Sequence, residues 1–248
     1  MILQASAATD VGMRRRVNED RYALVPDLGL YLVADGMGGH RAGQMASQLA
    51  AEVAVRTAQA LEGAALSLSE KLRQVVACAN REIFTTAKAN SEFEGMGTTL
   101  VAILASEGRL ALAHVGDSRA YLVREGAIRP LTADHSLVAE LVRRREITQE
   151  DAREHPHRHV LTCAVGVRPQ VEGDLIEMTP QDGDVFAMFS DGLTNHLRDE
   201  EIGLAITNTT DLQEASDGLV GMANDRGGDD NITVVLVRCE KAGGQPGA

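Results

Sequence analysis

Apolar residues recur along this chain with two different periods, and the changes between them mark out its elements. Residues 3–8, 22–25 and 29–34 carry short strand-like runs, with Pro26-Asp27 as a hairpin-like turn between the last two. Helical spacing then takes over. Met45, Leu49 and Val53 fall on one stripe across residues 42–61, among many alanines. Leu68, Leu72, Val75, Val76, Ala79 and Ile83 share one face of a second helix. Its start carries Ser67 and Glu70 at capping-box spacing, where each side chain can accept from the other residue's backbone N–H.

The pattern then returns to strands. Residues 98–105, 109–115, 119–123 and 127–131 are short strand candidates parted by Glu-Gly, Gly-Asp and Glu-Gly turns. Spacing this tight leaves no room for crossover helices and predicts an antiparallel meander. Asp134-His135-Ser136 reads as the N-cap of a short helix reaching Arg144. Residues 143–158 are highly charged and run into His155-Pro156-His157-Arg158-His159, which reads as a mobile surface insertion. A strand pair over 171–178 and 184–189, helices near 199–206 and 211–223, and a last strand over 232–237 follow. The Gly-rich stretch 241–248 is expected to be a disordered tail. No internal linker or fixed-period repeat interrupts this order. It predicts one domain over residues 1–240 of the α+β class: a four-layer αββα sandwich, two antiparallel sheets face to face with a helical layer on each outer side.

Composition narrows the chemistry. With 248 residues, 44% of them hydrophobic, the chain can bury a sizeable core, and only 3% aromatics leave the packing to aliphatic residues. A net charge of −12 argues against a protein that grips nucleic-acid backbones. Cys78, Cys163 and Cys239 have no CxxC spacing and read as small buried hydrophobes in a reducing compartment. The N-terminus lacks the pattern of a signal peptide, and no apolar run approaches the ~20 residues of a membrane span. A cytoplasmic monomer is expected, with no nucleic-acid or membrane partner.

Acidic residues sit where the apolar runs stop. Tyr31-Leu-Val-Ala-Asp-Gly36, Phe189-Ser-Asp-Gly192 and Val115-Gly-Asp-Ser118 each end a strand candidate in Asp, and Asp229-Asp230 precede the strand at Ile232. A lone Asp-Gly is ordinarily a turn. Several at strand ends can meet on one rim, where their mutual repulsion calls for hard divalent cations such as Mg2+ or Mn2+. Two ions sharing a carboxylate would lower the pKa of a bound water, a nucleophile suited to phosphate esters. Arg14-Arg15-Arg16, just upstream of Glu19 and Asp20, offers guanidinium forks for phosphate oxygens, or else is a solvated charge run. Gly36-Met-Gly-Gly-His-Arg-Ala-Gly43 lacks the Lys-Ser/Thr of a P-loop and the GxGxxG spacing of a dinucleotide fold.

These motifs occur in a telling order. Arg15-x-x-Asn-Glu-Asp20, Ala34-Asp-Gly-Met-Gly-Gly-His40, Gly95-Met-Gly-Thr-Thr99, His114-Val-Gly-Asp-Ser-Arg119, Thr132-Ala-Asp-His-Ser136, Phe189-Ser-Asp-Gly-Leu193 and Asp229-Asp-Asn-Ile-Thr-Val234 succeed one another from about residue 3 to residue 238. The ordered set closely resembles the bacterial metal-dependent Ser/Thr protein phosphatases of the protein phosphatase 2C type. The resemblance implies a β-sandwich phosphatase domain with a two-metal Mn2+ or Mg2+ centre at one end. Asp35 would bridge two ions and the Gly36 carbonyl would bind one of them. Asp191 and Asp230 would ligate the other, and Asp117, with Asp191, a weaker third. Arg15 would hold the substrate phosphate, while Glu19, Asp20 and Asn231 would order the surroundings of the ions. A metal-bridging hydroxide would attack phosphoserine or phosphothreonine directly, on proteins phosphorylated by a Ser/Thr kinase and on the kinase itself. Residues 137–160 would be the family's flap.

Two positions depart from the pattern. Met37 stands where many relatives carry a His proposed as general acid, which leaves His40 or water as the proton donor. Cys163 stands where bacterial relatives usually have Arg. Two rival readings are a non-catalytic binding module on the same fold and a hydrolase of nucleotides or other small phosphates. All the core Asp positions are present, which weighs against the first. The lack of a base-stacking aromatic or basic groove weighs against the second.

Overall fold

Eighteen elements follow one another in a computed structural model that describes residues 1–39 and 41–241, leaving His40 and the predicted tail from 242 onward outside the described residues. In chain order they are β1 (Ile2–Asp10), β2 (Asp20–Val25), β3 (Leu30–Met37), α1 (Arg41–Ala60), α2 (Leu68–Ala89), β4 (Gly97–Thr98), β5 (Leu100–Ser106), β6 (Arg109–Val115) and β7 (Arg119–Arg124). Then come β8 (Ala127–Pro130), α3 (Leu137–Arg143), α4 (Gln149–Glu154), β9 (Asp174–Met178), β10 (Val185–Phe189), α5 (Asp191–Thr194), α6 (Asp199–Thr207), α7 (Leu212–Asp225) and β11 (Ile232–Glu240).

The strands form two antiparallel sheets. One runs β1-β11-β10-β7-β8; the other runs β2-β3-β5-β6-β9, with β4 added beside the end of β3. Alternation along β3 shows how they stack. Leu30, Leu32 and Ala34 pack toward α1 and α2, while Tyr31 and Val33 enter a central core with Phe186, Met188, Val235 and Val237 of the other sheet. Phe189, Val234 and Leu236 face outward onto α6 and α7. Three apolar layers between four structural layers make the predicted αββα sandwich.

The predicted capping box at α2 forms: Glu70 N–H donates to Ser67 Oγ, and Ser67 N–H donates to the Glu70 carboxylate at 2.8 Å. On α1 the innermost face is Ala42, Ala46, Ala50 and Ala54 with Val53, while Met45 and Leu49 lie at its margin. Side chains this small let the helix come close to β3, so the alanines, and not the larger residues, mark the inner face.

Several expectations need correction. The strands over 98–131 are not one meander but two hairpins in different sheets, β5–β6 and β7–β8, and the chain crosses between sheets at Gly116–Ser118. Gly116 has φ +108, and a Cβ there would meet the Thr99 side chain at 2.6 Å, so the crossing needs glycine. Likewise β9 and β10 are not partners: β9 pairs with β6, whereas β10 lies between β7 and β11. Within the segment predicted to be a surface insertion, α4 is started by a capping box between Thr148 and Asp151. Finally, β3 continues through Asp35 to Met37, because Gly36 and Met37 pair with β4.

Candidate metal centre

The acidic positions converge at one end of the sandwich through strand register. Asp20 lies directly across from Asp35 in the β2–β3 pair, so two like charges share one face of the sheet. Such a pair is destabilising by itself. From the other sheet, Ser190 and Thr233 each donate a hydroxyl to Asp20 Oδ2 at 2.7 Å. Asp20 Oδ1 is buried without a partner. Burial, opposed by those two hydroxyls and reinforced by Asp191 and Asp230, pushes the Asp20 carboxyl up to about 7.

The neighbouring carboxyls behave in the same way. Burial first, then repulsion from Asp20, Asp191, Asp117 and Asp230, holds Asp35 well above the usual carboxylate range. Asp117 is raised by burial and then by Asp191 and Asp134, with Arg119 offsetting part of this. Asp191 is raised by burial and by Asp230, against the Asn195 amide, His159 and a hydrogen bond with Asp35. Asn195 donates to Asp191 Oδ2 at 3.0 Å. Oxygen donors crowded to the point of holding protons are a donor set for a hard divalent cation, which would replace the protons and relieve the repulsion. The side chains therefore fit Mg2+ or Mn2+.

The backbone around them is held tightly. Asp35 N–H donates to Thr99 Oγ1, and Thr99 N–H donates to Asp35 O, both at 2.9 Å. Thr98 Oγ1 donates to the same carbonyl at 2.8 Å, and Thr99 Oγ1 bonds Ser118 Oγ at 2.6 Å, beside Asp117. Gly36 N–H donates to Glu19 O at 3.2 Å. Asn231 is a second junction. Its Oδ1 accepts from Glu19 N–H at 2.7 Å, and its Nδ2 donates to Val11 O and Val17 O at 2.9 and 3.0 Å. Its own N–H donates to Asp230 Oδ1 at 2.8 Å. Asn231 thus ties the loop bearing Arg15 and Glu19 to Asp230.

At the mouth, Arg15 Nη2 donates to Asp230 Oδ2 at 2.7 Å, with the arginine half-exposed. Arg14 pairs outside with exposed Asp229 at 3.7 Å, so only Asp230 of that acidic pair belongs to the cluster. The sequence reading gave no role at the site to Thr98, Thr99, Ser118, Ser190, Thr233 or Asn195, although all but Asn195 fall in motifs that it singled out. A signal existed for Thr233, a hydroxyl at a strand position whose alternation points it into the central core.

A model of the family described as protein phosphatase 2C matches residues 14–233. The chain belongs to the protein phosphatase 2C family. The serine/threonine phosphatase stp of Listeria monocytogenes is 40% identical over 242 residues, covering 95% of each chain. The crystal structure of the Mycobacterium tuberculosis serine/threonine phosphatase PstP/Ppp superposes with a TM-score of 0.90 at 37% identity, covering 97% of this chain and 100% of that one. The catalytic domain of the phosphatase PstP in complex with two manganese ions gives 0.86 at 35% identity, over 97% of this chain and 99% of that one. The span that the family model matches contains Asp20, Asp35, Asp117, Asp191 and Asp230. Among the described residues no helix is long and apolar enough to cross a membrane.

The raised carboxyls carry a pH signature. A group whose folded pKa lies above its unfolded value favours folding at low pH, and that contribution is lost as pH rises through the folded pKa. The metal-free protein is therefore expected to lose thermal stability progressively as pH rises from about 4, the ordinary carboxylate value, to about 7, the value of folded Asp20. Added Mn2+ should restore it, with the larger gain in Tm at the higher pH. Thermal melts with and without chelator check this; an equal gain at both pH values would disprove the cluster's proton load.

Proposed function

We propose that this chain is a metal-dependent protein phosphatase that hydrolyses phosphoserine and phosphothreonine on proteins, with Mn2+ or Mg2+ held by the acidic cluster. The observation that carries this reading is the fully oxygen-donor cluster Asp20, Asp35, Asp117, Asp191 and Asp230, with a half-exposed guanidinium at its mouth. Family membership supports the same activity.

In this reading Asp35, the Gly36 carbonyl, Asp191 and Asp230 would hold the ions, and Asp117, with Asp191, would hold a further, weaker one. When bound, the ions supply Lewis acidity, lowering the pKa of water at neutral pH and offsetting charge on the phosphoryl oxygens. Arg15 exchanges Asp230 for two phosphate oxygens and orients the ester. Glu19, Asp20 and Asn231 keep the carboxylates and the Arg15 loop in register. Met37 can neither give nor take a proton, so proton return to the leaving serine or threonine falls to His40 or to solvent.

The catalytic unit proposed is residues 1–240, with residues 137–160 as a flap; the closeness of His159 to Asp191 supports its bordering the site. A Ser/Thr kinase and its substrates are the proposed partners, and a cytoplasmic monomer the proposed form, in keeping with three free cysteines.

The test is hydrolysis of a phosphothreonine peptide beside a nucleotide panel, with and without Mn2+. Metal-dependent turnover favouring the peptide is expected; metal-independent turnover, or a preference for nucleotides, overturns the proposal. Arg15→Ala should raise KM about tenfold or more, the worth of a charge-assisted contact, without weakening Mn2+ binding. An unchanged KM would remove Arg15 from its role as phosphate holder.

A further inference from the structure

Beside the acidic centre, and not used by it, lies a group of a different chemistry. His114, Asp174 and His135 each offer a ligand atom, and these atoms all lie within 4.8 Å of one another. Register explains the first two, since His114 of β6 stands directly across from Asp174 of β9. Leu110 and Leu112 enter the central core, so alternation sends His114 inward too, where it is fully buried. Both of its ring nitrogens are buried with no well-formed hydrogen bond, the Ser118 backbone making only a poorly aligned contact. Interior imidazoles are rarely left so, because losing water at two polar atoms is unfavourable unless something replaces it.

His135 lies against this ring, with centroids 4.7 Å apart. Gly116 N–H donates to His135 Nδ1 at 3.2 Å, which leaves the proton on Nε2, facing Asp174 Oδ2 at 3.1 Å. Asp174 is largely exposed, giving a path from solvent.

We propose that His114, His135 and Asp174 form a second cation site, selective for Zn2+ and separate from the oxygen-only centre. Two imidazoles and one carboxylate suit a borderline-soft ion, whereas Mg2+ and Mn2+ prefer the carboxylate cluster. The cation takes the Nε2 lone pair of His135 as that ring's proton moves to Nδ1, the ring staying neutral, and it gives buried His114 a partner. Burial and the neighbouring His135 push the His114 pKa down to about 4, so its ring is neutral and free to ligate at physiological pH. The site is joined to the Asp117 turn by the backbone bond from His135 N–H to Gly116 O at 2.8 Å, whereas the bond from Gly116 N–H to the ring is given up when Nδ1 takes the proton. A cation seated there braces that turn and the edge strand β9. The inference does not rest on the phosphatase reading and can fail or hold without it.

The test is calorimetric titration of the full chain with Zn2+ in excess Mg2+, together with imidazole nitrogen NMR. The first equivalent is expected to shift the rings of His114 and His135, and not those of His155 and His157. His114→Leu should abolish this binding, and Asp174→Asn should weaken it at least about tenfold, the least that loss of even an outer partner costs. His114→Leu replaces a polar ring with no well-formed hydrogen bond by an aliphatic side chain, so its Zn2+-free melting temperature should match or exceed the parent's. Exposed Asp174 provides a variant that keeps the test sound should the buried one misfold. An isotherm unchanged in Asp174→Asn, or a first equivalent seen at other histidines, overturns the proposal.

Discussion

Asp35→Asn is expected to lower phosphatase activity by about a thousandfold or more, the upper range for removing one group that stabilises developing charge, while the metal-free protein melts no lower than the parent. The two halves share a cause. Asp35 lies across from Asp20 and is held well above the usual carboxylate range by burial and by its acidic neighbours. An amide keeps the shape and removes one source of repulsion. The threonine bonds to the Asp35 backbone do not depend on the side chain, so the loop should keep its course. The cations then lose a carboxylate proposed to hold them. Activity assays at saturating Mn2+ and melts in chelator separate the two effects. Near-parental activity would mean that Asp35 holds no metal, and a marked fall in metal-free Tm would mean that its carboxylate is structural.

The second large effect falls on backbone. Gly192→Ala is expected to cost about 3 kcal/mol, the upper part of the overpacking range, and to lower Tm by roughly 6–12 °C. A Cβ on Gly192 would stand 2.0 Å from Asn231 O. That carbonyl belongs to the residue that ties the Arg15 loop to Asp230, so relief of the clash displaces the cluster as well. Gly36 is confined in the same way, with a Cβ 2.0 Å from Gly43 O and 2.7 Å from Glu19 O. Gly218 in α7 is the control: nothing lies within 4 Å of a Cβ there, and alanine should stabilise that helix by up to about 1 kcal/mol. If Gly192→Ala melts like the parent, the glycine after Asp191 is only a turn residue.

These glycines show what can be read from sequence and what cannot. Asp35-Gly36 and Asp191-Gly192 stand out because a polar pair ends an apolar run, a local signal. The helix caps at Ser67 and Ser136 are local as well, and both form. Sheet membership is not local. Strands β5 and β6 are buried on both faces nearly throughout, so no alternation reveals which sheet each hairpin joins. The crossing at Gly116 therefore looks like any other turn. The role of Thr98 and Thr99 escapes notice for a related reason, because it lies in bonds to a strand sixty residues earlier in the chain. The acidic set is legible as an ordered series of motifs, but the tension between Asp20 and Asp35 emerges only from their register.

The pairing of β1 with β11 also bears on how the molecule is made. Ile2 is matched with Glu240 and Asp10 with Ile232, so β1 must wait for a strand made more than two hundred residues after it. β11 is an interior strand, flanked by β1 and β10, and it follows directly on Asp230. Until it emerges, Asp20 lacks the Thr233 hydroxyl that reaches it from the other sheet, and the nascent chain exposes the open edges of an unfinished sheet. A cation that needs Asp230 beside Asp35 would therefore lock the fold after β11 has paired rather than guide its first steps.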